Sequence, residues 1–353
     1  MKISTESIKQ YIYDHPRINL VQYIIRKKLP YADACRDIID KERNPFVVQY
    51  RHYGSKNYRN PIYHISIGDE YKIMGFCSLL RVTLLHLAYA NRMGFTPIVS
   101  WEKCLLYSEQ DIFNGTQNSF EYFFENTSHI SINEIYESDL VVHAKKYDTQ
   151  MYVEKLSYFV QESELEILAD TIKANLRFNI LGIEEIDKPC SILLKRGKVL
   201  GVHVRGTDFR NEFSRHPVMV TLDEYCDTVK KIFDSGCYDY IFLATDEEKT
   251  INKFQDLFDD KLLYFDSLRS KDGTPLHYGN RSERQNNSYL LGKEILRDVY
   301  MLGNCDGLVA GLSNITIIAR AIKRSMEKQY IDLKVVDKGL HFNMRESYLY
   351  IKR

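Results

Sequence analysis

The spacing of apolar residues changes along this chain, and each change predicts an element. Residues 1 to about 60 mix polar stretches with two groups, Ile18, Leu20, Val21, Ile24, Ile25 and then Ala34, Cys35, Ile38, Ile39. Each group fits one face of a helix, with breaks at Pro16, Pro30 and Pro45, which predicts a helical N-terminal extension. Ile62 to Ile67 reads as a strand. Phe76, Leu80, Leu84 and Leu87 then form one helical stripe that stops near Met93-Gly94, and Pro97 to Trp101 reads as the next strand. Strand, glycine turn, helix and strand make a βαβ unit. Residues 102–180 are less regular. Leu140 to His143 suits a strand, and Phe159, Leu165, Leu168, Ile172 and Leu176 recur at helical period.

From residue 199 the alternation is regular. Val199 to Val204 is an apolar run, broken only by Gly201 and His203, as expected of a central strand covered on both faces. Thr221-Leu-Asp-Glu224 has the form of a capping box and opens a helix to about Asp234. Strands follow at Tyr240–Asp246, Lys261–Phe265 and Gly307–Ala310; helices at Glu247–Phe258, Tyr289–Leu302 and Asn314–Met326. Asp266 to Ser288 is polar without period, a length that suits a lid or acceptor loop. Four strand–helix alternations argue for a doubly wound parallel sheet in an α/β fold. A chain of 353 residues exceeds one ordinary core. Gly182, Pro189 and Gly197 mark the junction, which gives a first α/β domain over 1–188 and a second, Rossmann-like domain over 189–335. A tail, 336–353, is expected to pack back on the first domain.

Composition narrows the partners. Lys plus Arg equals Asp plus Glu at 48 each, so no overall field draws the chain to nucleic acid, and any anion site must be local. Seven scattered cysteines with no C-x-x-C pair suit reduced thiols. No signal-type h-region and no membrane-length apolar run is visible, so a cytoplasmic protein is expected. The absence of G-x-x-x-x-G-K-[ST] and G-x-G-x-x-G motifs disfavours NTPase and dinucleotide enzymes.

Candidate chemistry gathers where strands end. Arg205, Gly206, Thr207 and Asp208 follow the Val199–Val204 run, where ligands sit in open α/β sheets. The plain alternative is a solvated turn with Arg205 paired to Asp208. Asp298 lies seven residues after Leu291 on the buried face of its helix and needs a partner: a core arginine, or the adjacent N1–H and N2–H donors of guanine. Ser313 suits the N-cap of the last helix, whose first N–H groups favour a phosphate. Gly75 opens a helix and is either a plain βα turn or a second such anion position. Asp208 and Asp246, after two strands, could hold a metal, yet the chain has no D-x-D pair.

His203-Val-Arg-Gly-Thr-Asp208 resembles the H-V/I-R-R-x-D motif of the GDP-fucose-dependent fucosyltransferases. Other segments match in order: the Gly75–Cys77 turn with Asn91-Arg92 and Ile98-Val99; Ala244-Thr-Asp-Glu247; Leu296–Asp306; and Gly311-Leu-Ser-Asn-Ile315. The resemblance covers roughly 62–101 and 199–320. It departs at Gly206, where the family has a second arginine, and at Phe209, where core α1,6 enzymes carry lysine. These departures bear on acceptor choice more than on donor class.

The resemblance implies a GT-B enzyme, two Rossmann-like domains facing a cleft. The reaction would be inverting and metal-independent, with no metal ligands and no cofactor besides the donor substrate GDP-fucose. It implies Arg205 and Ser313 at the β-phosphate with Asn314 beside them, and Asp298 on guanine. Asp246 would support the nucleotide or the Arg205 loop, and His203 would be a nucleotide contact or packed residue. Asp208 or Glu212 would be the general base, and Asp306 is taken as structural. The expected partners are a GDP-sugar and a glycan acceptor, free or lipid-linked, with peripheral membrane contact open and no nucleic acid. A different GDP-sugar, or noncatalytic GDP or glycan binding, are the alternatives.

Overall fold

The structure is a computed structural model and describes residues 25, 48–56, 60–72, 74–103, 105–144, 157–207, 216–274 and 284–341. Contacts divide the chain into two units. One comprises Met1–Met74, Leu79–Leu156 and Asp170–Arg177; the other Gly75–Ser78, Ser157–Ala169 and Phe178–Arg353.

The first unit holds a four-stranded sheet of β1 (Val48–Arg51), β2 (Ile62–Ile67), β3 (Thr96–Trp101) and β4 (Val141–Ala144), in the order β1-β4-β2-β3. β2 runs parallel to β3 and β4, and β1 is antiparallel to β4. Helix α1 (Phe76–Met93) connects β2 to β3, as its apolar stripe predicts. The strand β1 corrects the expectation of helix up to about residue 60. Its pairing with β4 supplies the hydrogen bonds that a helix would have made internally. The rest of the expected N-terminal extension lies outside the described residues. Ile62, Ile98, Ile130, Ile135 and Val141 form a core in this unit. Asn118 braces β3: it accepts from the Trp101 N–H (2.8 Å) and donates to the Val99 carbonyl (2.7 Å).

The second unit is a five-stranded parallel sheet in the order β7-β6-β5-β8-β9, made of β5 (Val199–Val204), β6 (Tyr240–Thr245), β7 (Leu262–Leu263), β8 (Gly307–Gly311) and β9 (Leu333–Val336). Its helices include α2 (Glu162–Asn175), of which residues up to Ala169 group here, α3 (Lys188–Leu194), α4 (Leu222–Phe233), α5 (Glu248–Phe258), α6 (Asn287–Asn304) and α7 (Asn314–Ser325). β5 is buried at all six positions and lies between β6 and β8, as a strand covered on both faces must. Gly201 is required there: a Cβ would sit 3.1 Å from Cys305 and from Leu302, so its absence lets α6 close onto the sheet. Leu200, Val202, Val204, Tyr225, Val229, Leu243, Phe254 and Val309 pack together around this strand. Each such side chain contributes about 1.5–3 kcal/mol on burial.

Two expectations about organisation are corrected. The segment around Gly182 and Pro189 is not a linker. Ile180–Gly182, a π-helical Ile183–Asp187 and α3 run on from one another, and Pro189 stands where the π turn passes into α3, a place where the regular α-helical ladder is already interrupted. Tyr300 donates to Asp187 (2.8 Å) and Lys293 pairs with Glu185 (3.0 Å), so residues 178–188, expected in the first domain, belong with the second unit. The tail differs too. β9 pairs with β8, and the His341 N–H donates to the His216 carbonyl (2.8 Å), which ties 336–341 to the second unit rather than the first domain. Residues 342–353 lie outside the described residues. Among the described residues no helix is long and apolar enough to cross a membrane.

Candidate functional site

Three chain turns at the carboxyl ends of β5, β6 and β8 build the site. After β5 the chain turns at Arg205-Gly206-Thr207, and Asp246, just past β6, holds that turn. Asp246 Oδ1 accepts from the Gly206 N–H (3.1 Å), Oδ2 accepts from the Thr207 hydroxyl (2.7 Å), and Oδ2 lies 3.5 Å from Arg205 Nη1. Among the described residues Asp246 is a salt-bridge partner of Arg205; the pairing with Asp208 that the plain alternative expects falls outside them. Asp208 and Glu212 lie outside the described residues. Arg205 remains about a quarter exposed, so its guanidinium is held and still reachable.

Gly206 stands where the H-V/I-R-R-x-D motif that this stretch resembles has its second arginine. A Cβ there would come within 2.3 Å of the Glu247 carboxylate, which is buried. Glu247 therefore fills the room that any side chain at 206 would take. Sequence reasoning passed over Glu247, although it stands where A-T/S-D-D has its second aspartate.

Ser313 caps α7. Its Oγ accepts from the Thr316 N–H (3.1 Å) and lies 2.9 Å from the Thr316 hydroxyl. His203, buried in β5, places Nδ1 3.5 Å from Ser313 Oγ. Asn314 is the first residue of the helix. Ser313 and its neighbours thus form a capped helix start directly beyond β8, next to the β5 end that carries Arg205.

Asp298 sits on α6. Its Oδ1 is out of reach of solvent and has no hydrogen-bond partner. The two nearby arginines spend Nη2 on loop carbonyls, and each leaves a buried Nε without a partner. Arg297 Nη2 donates to the Asp266 carbonyl (2.8 Å) and its guanidinium lies 4.2 Å from the Phe265 ring centre; Arg269 Nη2 donates to the Phe265 carbonyl (2.6 Å). Burial raises the Asp298 carboxyl to about 7, against the pull of Arg297 and Arg269 and with a small push from Glu294. A carboxyl with an idle oxygen in such a place suits a ligand bearing paired N–H donors. Asp306, by contrast, accepts from the Val199 N–H (2.8 Å) and is structural.

Gly75 and α1 enter here too. Gly75–Ser78 group with the second unit, and the start of α1 is exposed at Gly75, where a Cβ would meet nothing within 4 Å. Burial pushes the Cys77 thiol up to about 12; of the charges that reach it, Arg205 draws it down and Asp298 pushes it up.

The polar loop after β7 is stitched at both described ends. The Ser270 N–H donates to the Asp246 carbonyl (2.8 Å), the Leu268 N–H to Glu294 (3.3 Å), and Arg284 Nη1 to Glu294 (2.6 Å). Arg269, Arg284 and Arg297 were missed. Only the adjacency of Arg297 to Asp298 signalled them. Among the described residues no three His, Cys, Asp or Glu side chains gather as a metal site.

No protein-family model matches the chain, and no curated protein matches it. Among solved structures it is similar to NodZ α-1,6-fucosyltransferase soaked with GDP-fucose, at 16% identity and a TM-score of 0.47 over 75% of this chain and 93% of that one. It is similar to fucosyltransferase NodZ from Bradyrhizobium, at 17% identity and a TM-score of 0.41 over 74% of this chain and 92% of that one. It is also similar to POFUT1 in complex with GDP-fucose, at 10% identity and a TM-score of 0.42 over 82% of this chain and all of that one (100%).

Proposed function

We propose that this chain is an inverting, metal-independent GT-B glycosyltransferase that moves L-fucose from GDP-β-L-fucose to a hydroxyl of a bacterial surface glycan or its precursor. The observation that carries the reading is the placement of Arg205, braced by Asp246, beside the Ser313-capped start of α7, with the unpartnered oxygen of Asp298 on α6 in the same unit. The family motif over His203–Asp208 supports the same reading.

Each residue then has a task. Asp298 accepts from N1–H and N2–H of guanine, which satisfies its idle oxygen. The α7 start and Arg205 take the β-phosphate, where negative charge grows as the glycosidic bond breaks. A guanidinium fixed there stabilises the transition state more than the ground state. Asp246 keeps the guanidinium aimed and the turn closed. Asp208 or Glu212 accepts the acceptor's proton. Arg205→Ala is expected to lower turnover by ~10²–10³ while the fold survives, since one preorganised donor is typically worth that much. A rate within threefold of the parent in GDP-fucose turnover assays would refute the assignment. Hydrolysis of GDP-fucose, against hydrolysis of other GDP-sugars, separates this reading from a transferase of different donor and from a noncatalytic GDP binder.

A further inference from the structure

The helical stretch from Ile180 to Leu194 shows solvent an unusual face. Ile180, Ile183 and Ile192 are 82%, 41% and 62% exposed. They cannot turn inward, because Gly182, Ile186 and Cys190 fill the buried side, and Lys293–Glu185, Tyr300–Asp187 and Cys190 Sγ to the Arg297 carbonyl pin that side to α6. Ile183 and Ile192 are nine residues apart, about two and a half turns of α-helix, which would set them on opposite sides. The wider π turn at Ile183–Asp187 takes back part of that rotation, so both face solvent together with Ile180.

The charges beside this stripe are mixed, with the unpaired cations gathered at its end. Glu184 is paired with Lys188, Glu185 with Lys293, and Asp187 accepts from Tyr300. Asp239 accepts from the Lys198 backbone N–H (2.8 Å) and brings its negative charge there. Lys195, Arg196 and Lys198, at the end of the stretch, are exposed and enter no ion pair among the described residues. A fixed row of apolar side chains with three cations against one carboxylate, Asp239, at one end matches an anionic lipid surface, which takes the isoleucines at the acyl boundary and the cations at the headgroups. We propose that the Ile180–Lys198 face docks the protein peripherally on an anionic membrane. This inference is independent of the donor chemistry.

The test is co-sedimentation of the full chain with vesicles of phosphatidylcholine alone and of equimolar phosphatidylcholine and phosphatidylglycerol. The expected result is retention on anionic vesicles, at least about tenfold weaker on neutral ones, and lost by about tenfold in Ile183→Ser/Ile192→Ser and in Lys195→Glu/Arg196→Glu. Circular dichroism and an unchanged melting temperature confirm that both variants fold. Equal retention on the two vesicle types, no retention at all, or variants that bind like the parent would overturn it. So would sedimentation velocity showing a dimer that Ile183→Ser/Ile192→Ser dissociates, with no vesicle binding, because the face would then cover a second copy.

Discussion

At Asp298 the folded chain keeps a carboxyl protonated far above its ordinary range, and that has consequences for stability and for binding. The folded group holds its proton to about pH 7, while the unfolded chain releases it near pH 4. Between those values the folded state binds more protons, so stability falls as pH rises through this window and levels off above it. The full penalty is on the order of 4 kcal/mol. Asp298→Asn is expected to flatten this slope and to melt higher than the parent at pH 8; an unchanged slope in urea titrations from pH 5 to 8 would contradict the burial argument. Guanine binding needs the ionised form, so GDP affinity is expected to climb from pH 5.5 to 7.5 with proton release, and the asparagine variant should lose that climb. Calorimetry in buffers of different ionisation enthalpy reads the released proton directly. Sequence spacing was enough to place Asp298 on the inner face of α6. It was not enough to show that Arg297 and Arg269 donate to loop carbonyls, because those partners arrive from residues 265–267, outside the helix.

The same contrast runs through the helix starts. Thr221 and Ser313 both cap helices, with Thr221 completing a capping box to Glu224 and Ser313 accepting from Thr316. Both were legible in sequence, since a cap and its partner lie within one turn. Thr221→Ala and Ser313→Ala are each expected to cost about 0.5–2 kcal/mol of stability. Only Ser313→Ala should also weaken GDP, because its helix start stands at the β8 end beside Arg205. Chemical denaturation and GDP titration of the two variants check the pair; equal loss of GDP affinity in both would remove the phosphate role from α7. The strands of the second unit were readable for a similar local reason, as β5 is apolar throughout and its neighbours follow helices of ordinary length. β1 and β9 were not, because short edge strands owe their pairing to partners distant in sequence. Glu247 was missed likewise: its meaning depends on Gly206, which folding brings against it.

Across the whole molecule, the alternation of strand and helix foretold a parallel sheet, and the order β7-β6-β5-β8-β9 sets the β5 and β8 ends side by side. The division of the chain was harder to read. Gly182 and Pro189 look like punctuation, yet the π-helical turn absorbs the irregularity and binds 178–194 to α6. The central claim is that Arg205, Asp298 and the start of α7 together hold guanosine diphosphate without help from a cation. Isothermal titration of GDP, UDP and ADP into the full chain, with and without EDTA, tests it most directly. The account predicts binding of GDP at least about tenfold tighter than of UDP or ADP, as expected when the wrong base leaves a buried polar group unpaired. It predicts the same affinity in EDTA and a marked loss in Arg205→Ala and Asp298→Ala. Equal affinity for the three nucleotides, or GDP binding that vanishes in EDTA and returns with magnesium or manganese, would contradict it.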